Sequence, residues 1–171
     1  PKGLDKNFYG QLIEMARARE KKFLLDASGE TLAKSLPYKP FMIKPNKDEI
    51  EALTGRKINS VEDAVQEAEN FAQMGIELPI ISLGKEGAVT CWQGQAYWVK
   101  PPIFKAVNAV GSGDSFVAGI AIGLQRGYEI QDVLRLAAAC GTANVLEQES
   151  GCVDPAKVEE IMAETIVKKV V

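Results

Sequence analysis

The chain has 171 residues, 46% apolar and 25% charged, with 20 Lys plus Arg against 23 Asp plus Glu and a net charge of −3. Such figures describe a packed chain of about one domain; they exclude wholesale disorder and, lacking a basic excess, give no support to binding of nucleic acid or an acidic membrane. Histidine is absent, which removes Ser-His and Cys-His catalysis, His metal sites and His acid–base chemistry together.

In chain order, Phe8, Leu12, Ile13, Met15 and Ala16 recur at helical spacing between Asn7 and Glu20. Phe23 to Ala27 reads as a buried strand with a turn at Ser28-Gly29, and Thr31 to Leu36 as a short helix stopped by Pro37. Phe41 to Ile43 is a second strand closed by Lys44-Pro45-Asn46, followed by a helix from Lys47 to Leu53 that Gly55 ends. Ser60 caps a long helix with Asp63 in the capping-box position, and Val61, Ala64, Val65, Ala68, Phe71 and Ala72 share one face. Pro79 to Leu83 is a third strand. Gly87 to Cys91 and Gln95 to Val99 flank Trp92-Gln93-Gly94 as a hairpin in which Trp92, Tyr97 and Trp98 are packing residues. A Gly-rich turn from Val107 to Asp114 precedes a helix from Ser115 to Arg126, and Ile130 to Leu146 forms another. Asp154-Pro155 starts a last helix whose apolar face runs through Val158, Ile161, Met162, Thr165 and Ile166.

Strands alternating with helices predict an α/β fold with a mostly parallel sheet covered on both faces, and ligands in such sheets bind beyond the carboxyl ends of the strands. Cys91, Cys140 and Cys152 are odd in number and widely spaced, with neither a zinc pattern nor a disulfide framework, so a reducing cytoplasm is expected. No apolar run approaches the ~18 residues of a membrane span.

Three strand ends carry polar or glycine residues. In Asn108-Ala109-Val110-Gly111-Ser112-Gly113-Asp114-Ser115, glycines before a helix free backbone N–H groups to face an anion, and the helix dipole adds partial positive charge. Asp114 beside such a cradle makes chemical sense if it takes a proton from a hydroxyl that attacks a phosphate. A glycine turn with an acidic helix cap explains the same residues. In Lys44-Pro45-Asn46-Lys47-Asp48-Glu49, Asn46 and Glu49 share a helical face and could hold the water shell of Mg²⁺; an Asn cap with a solvated first turn is the alternative. In Ser82-Leu83-Gly84-Lys85-Glu86-Gly87 two glycines would admit a ligand's phosphates or ribose, or simply form a β-turn. A dinucleotide fingerprint fails because Phe116 stands where its third glycine belongs, and a Walker A loop fails because Gly84-Lys85 is followed by Glu86.

Taken together and in this order, the three segments resemble the ribokinase-like sugar kinases of the PfkB family, over essentially the whole chain. Leu25-Asp26-Ala27-Ser28-Gly29 and the form of Val107 to Asp114 are similar to the branch acting on phosphorylated ketohexoses. The resemblance implies a three-layer α/β/α sandwich. It also implies ATP-dependent phosphoryl transfer, with Mg²⁺, to a hydroxyl of a sugar phosphate such as tagatose-6-phosphate or fructose-1-phosphate. It matches Asp114 to the general base and Gly111, Ser112 and Gly113 to the anion hole. Asn46 and Glu49 match the Mg²⁺ and phosphate positions, Ser82, Gly84 and Gly87 nucleotide contacts, and Asn144 the neighbourhood of the adenine pocket. Many members carry Asp-Thr or Asp-Ser where this chain has Asn108-Ala109, which removes a carboxylate near the site.

Family members have roughly twice this length, and their first half supplies the lid and most sugar contacts. Residues 1–171 are therefore expected to be the C-terminal nucleotide-binding and catalytic part, with Lys2-Gly3-Leu4 just after the sugar-binding half. A homodimer of the full-length protein stays open, since the family's lid often forms that contact. The rivals are a non-catalytic nucleotide-binding module and a family kinase acting on another sugar or a nucleoside.

Overall fold

A computed structural model describes Asp5 and residues 7–170; Lys2 to Leu4 lie outside the described residues. Six strands form one sheet and lie in it in the order in which they occur in the chain. The chain divides into two compact units, one built from the residues up to Ser82 with Val89–Ala96, the other from Leu83–Ala88 with Tyr97–Lys169.

The first unit carries helices α1 (Phe8–Arg17), α2 (Gly29–Ser35), α3 (Lys47–Thr54) and α4 (Val61–Gln73) and strands β1 (Leu24–Leu25), β2 (Met42–Ile43) and β3 (Leu78–Ser82). Its strands are short, mainly Leu, Ile and Met with Pro79 and Ser82 in β3, and show no polar–apolar alternation, as strands covered on both faces must. Leu25, Met42, Ile43, Leu78, Ile80 and Ile81 are all buried. β1 pairs in parallel with β2, Leu24 opposite Met42, and β2 with β3, Met42 opposite Leu78. Pro37 does not stop α2 outright. It enters the first turn of a 3-10 segment, Leu36–Tyr38, where its missing N–H has no helical acceptor to lose. α4 starts at a complete capping box between Ser60 and Asp63 and turns Ala64, Val65, Ala68 and Phe71 inward.

Strands β4 (Ala88–Trp92) and β5 (Gln95–Lys100) are joined by Gln93 and Gly94, with φ of 51° and 78°. Positive φ at both central residues is the type I′ hairpin turn, so this pair is antiparallel and the sheet is mixed.

The second unit adds α5 (Ser112–Gln125), α6 (Ile130–Val145), α7 (Pro155–Glu164) and β6 (Ile166–Val170). α5 packs on α6 along small residues: a Cβ on Gly119 would come within 2.6 Å of the Ala137 Cα. α6 packs on α7 through Ala139, Cys140, Ala143, Val158 and Ile161. Two sequence expectations are corrected here. α5 starts at Ser112, not Ser115, which places Ser112, Gly113 and Asp114 inside its first turn. The last helix ends at Glu164, and Ile166, expected on its apolar face, opens β6 instead. Thr165 is extended and buried, its hydroxyl donates to the Ile161 carbonyl at 2.8 Å, and the β-branched Ile166-Val167 that follows favours a strand. No helix among the described residues is long and apolar enough to cross a membrane.

Candidate functional site

In the first unit the carboxyl ends of β1, β2 and β3 gather polar residues. Asn46 is the N-cap of α3: its Oδ1 accepts from the Glu49 N–H at 2.9 Å, and Glu49 Oε2 accepts from the Asn46 N–H at 2.9 Å. The local alternative, a capping residue, is therefore realised, yet the box engages one oxygen of Glu49 and leaves Oε1 outside it. Ser82 joins the same strand ends through a parallel bridge to Asn46; its N–H donates to the Pro45 carbonyl at 3.0 Å and its hydroxyl at 3.5 Å. Beside them Lys44 Nζ lies 3.1 Å from Asp26 Oδ2, with the lysine side chain only 10% exposed. Sequence reasoning did not single out this pair. Its signal was available: a lysine and an aspartate each just past the end of an apolar strand run.

A Mg²⁺ ion takes oxygen donors and typically keeps several waters, bound through one or two carboxylates plus phosphates. Among the described residues no group of three or more His, Cys, Asp or Glu forms a metal cage. Glu49 in the first turn of α3 suits the sparser, water-mediated arrangement, with its Oε1 as the oxygen that would face the ion's shell.

In the second unit Gly84–Glu86 forms a 3-10 turn and Gly87 ends it at φ 85°. A side chain on Gly87 would collide with the Val99 carbonyl, so glycine is required there both by φ and by space. The turn is tied to β5: Trp98 Nε1 donates to the Glu86 carbonyl at 2.8 Å, and Lys100 Nζ meets Glu86 Oε2 at 2.9 Å. Trp98 is thus more than a packing residue, since it fixes the turn that carries Gly84 and Gly87.

The Gly-rich segment is the better-defined feature. Gly111 is the N-cap of the 14-residue α5 at φ 85°. Ser112 turns back on the preceding loop, its N–H at 3.3 Å and its hydroxyl at 2.9 Å from the Ala109 carbonyl. The amides of Gly113 and Asp114 follow as first-turn donors, which no intrahelical carbonyl can satisfy. Asp114 is exposed at this positive helix end. The anion-hole and base candidates Gly111, Ser112, Gly113 and Asp114 are therefore on one helix start, with the Ser112 N–H and hydroxyl turned to Ala109 and the later amides without an intrahelical acceptor.

Asn108 explains its own presence. Its Oδ1 accepts from the Val110 N–H at 3.0 Å, and its Nδ2 donates to the Gln148 carbonyl at 3.0 Å. An aspartate would keep the first bond and lose the second. Asn144, matched above to the adenine neighbourhood, is fully buried, and its Nδ2 donates to the Cys152 carbonyl at 3.1 Å. It faces the interior of its unit rather than solvent.

A family model described as pfkB family carbohydrate kinase matches residues 1–157. The chain is 34% identical over 151 residues to a 1-phosphofructokinase of Bacillus subtilis, covering 88% of this chain and 50% of that protein. It is 38% identical over 164 residues to a tagatose-6-phosphate kinase of Staphylococcus epidermidis, covering 94% and 53%. Among solved structures, phosphofructokinase-2 from Escherichia coli in complex with potassium superposes with a TM-score of 0.88 at 28% identity, covering 95% of this chain and 53% of that one. The chain spans about half the length of the curated relatives it matches.

Proposed function

We propose, from the premise that this chain belongs to the pfkB family of carbohydrate kinases, that it forms the nucleotide-binding and catalytic part of an ATP-dependent sugar-phosphate kinase. The carrying observation is the start of α5, where Gly111 in the left-handed region is followed by first-turn amides and by an exposed carboxylate at Asp114. Amides with no partner suit a phosphoryl group in transfer; a carboxylate beside them suits the proton of an attacking hydroxyl. Phosphoryl transfer is catalysed mainly by positioning and charge stabilisation, and these residues supply one of each. The relatives named for 1-phosphofructokinase and tagatose-6-phosphate kinase favour a phosphorylated ketohexose as acceptor.

In this reading Gly111, Ser112 and Gly113 orient the transferring phosphoryl group and Asp114 accepts the hydroxyl proton. Ser82, Gly84 and Gly87 let the backbone approach the nucleotide. Asn46 and Glu49 would hold Mg²⁺, which when bound neutralises phosphate charge. Asn144 serves the nucleotide through its surroundings. The bonds Asn46 and Glu49 make to each other restrict their rotamers, which fixes the direction in which the remaining Glu49 oxygen points.

The test is Asp114→Asn in a protein that carries this chain at the length of its relatives. Turnover of tagatose-6-phosphate or fructose-1-phosphate should fall ~10²- to 10⁴-fold, the worth of a positioned general base, while Mg-ADP affinity measured by calorimetry stays within about twofold, since the amide keeps the size and removes only the proton acceptor. Turnover within threefold of the unaltered protein removes Asp114 from the base role. A chain that binds Mg-ADP while the longer protein phosphorylates no sugar favours the binding-module reading.

A further inference from the structure

Asn144 Oδ1 is the one buried side-chain oxygen or nitrogen without a hydrogen-bond partner among the described residues. A buried unpaired acceptor is costly and calls for an explanation. The rest of the side chain supplies one. Its Nδ2 donates to the Cys152 carbonyl at 3.1 Å and lies 3.5 Å from the Glu149 carbonyl. Carbonyl oxygens accept only from N–H or O–H, so these neighbours dictate which end of the amide faces the 147–152 loop, and Oδ1 is turned the other way. A Cβ built on Gly111 would come 3.2 Å from this Oδ1, 2.9 Å from the Gly151 nitrogen and 3.3 Å from the Ser150 Cβ. The loop that Asn144 holds is thus the wall directly behind the N-cap of α5. A second anchor grips the same loop from the other side, where Asn108 Nδ2 donates to the Gln148 carbonyl at 3.0 Å.

We infer that Asn144 is a positioning residue: by holding the 147–152 loop against Gly111 it sets the direction of the α5 first-turn amides and hence nucleotide affinity, without touching the nucleotide. The inference rests on the nucleotide reading above only for its binding readout. The clamp itself is local. If the Cys152 and Glu149 carbonyls lose their donor, the loop is left to the Asn108 anchor, and the wall that Gly151 and Ser150 form behind Gly111 shifts.

The test uses Asn144→Asp, Asn144→Ala and Asn108→Ala in the 171-residue chain, with hydrogen exchange and Mg-ADP calorimetry. Asn144→Asp keeps the shape but, when ionised, sets a carboxylate against two carbonyl oxygens; when protonated it regains one donor. Burial raises the pKa of such a carboxyl, so the deficit must shrink as the pH falls. At pH 8 Mg-ADP binding by Asn144→Asp and Asn144→Ala should be about tenfold weaker than by the unaltered chain, the scale of one lost hydrogen bond to a carbonyl. At pH 5.5 the Asn144→Asp deficit should contract to about threefold while that of Asn144→Ala is unchanged. A role in packing alone would give no such pH dependence. In the absence of ligand, the hydrogen-bonded amides of Ser112 and Ser115, which donate to the Ala109 and Gly111 carbonyls, should exchange faster in all three variants, and Asn108→Ala, which removes the outer anchor together with the bond from the Val110 N–H, guards against failure to fold. Unchanged exchange at Ser112 and Ser115 in Asn108→Ala and in any folded Asn144 variant overturns the clamp, as does a pH-independent Asn144→Asp deficit. Should the unaltered chain bind no Mg-ADP, the nucleotide reading fails, while the exchange data still decide the clamp.

Discussion

At the scale of single residues, chemistry follows from burial and from local hydrogen bonds. Burial pushes the Cys91 and Cys140 thiols up from their usual range, whereas Cys152 is exposed. The thiolate is the reactive form, so a maleimide at pH 7.5 should label Cys152 rapidly and the other two only on unfolding; mass spectrometry of digested, briefly labelled chain checks this. Equal labelling at all three sites would contradict the packing around α6 and β4. Asp63 offers a pH-dependent counterpart. Backbone donation from Asn59, with further bonds from Ser60, holds its carboxyl below the usual range. A pKa lowered by folding means that the ionised form favours the fold. The contribution is present at neutral pH and fades as the pH drops through the folded value. Urea unfolding should therefore show Asp63→Ala, which removes the acceptor of the Asn59 and Ser60 N–H groups, destabilised at neutral pH, with a smaller difference in strong acid. Much of the candidate site was legible at this scale, because Gly-Ser-Gly-Asp and Asn-x-x-Glu carry their geometry in their residue types. The Asn144 orientation was not. Which carbonyls surround a buried amide depends on a loop 5 to 8 residues further on, and no local pattern encodes that.

At the scale of elements, the helices were readable where a start signal and an apolar face agree. Ser60 with Asp63, and Asp154 with Pro155, both act as caps in the structure. The start of α5 lies three residues before the expected one because Ser112-Gly113 reads as turn chemistry, whereas both residues form the first turn after the Gly111 cap. β6 was missed because Thr165 and Ile166 continue the helical spacing of Ile161 and Met162; the extended Thr165 ends that run. The α5–α6 contact yields a sharp expectation. Gly119→Ala brings a methyl within 2.6 Å of the Ala137 Cα, which is backbone and cannot swing aside. The substitution should cost about 1–3 kcal/mol despite alanine's better helix propensity, measured as a fall in thermal midpoint. A neutral or stabilising result would mean the two helices slide apart easily.

For the molecule as a whole, the proposed nucleotide binding carries a consequence for stability. A ligand that binds only the folded form adds stability that grows with its concentration, about 2.7 kcal/mol at a hundredfold excess over Kd. Mg-ADP should therefore raise the melting temperature of the chain in a concentration-dependent way, and EDTA should remove most of the shift if Glu49 and Asn46 hold the metal. A shift indifferent to EDTA would detach those two residues from the ion. The α/β class was legible at this scale from the strand–helix alternation, whereas the division into two units was not, since the sequence has no linker to mark it. The two-residue turn at Gln93-Gly94 also bears on the order in which the chain assembles. Forming a hairpin on so short a turn takes microseconds, but β2 must find β3 across α3 and α4, with Met42 seeking Leu78, and distant parallel pairing is slow. The hairpin is thus available as an early template, against which Thr90 can dock by its hydroxyl to the Pro79 carbonyl at 2.7 Å, and the parallel strands β3, β2 and β1 would then be added in the reverse of their order in the sequence.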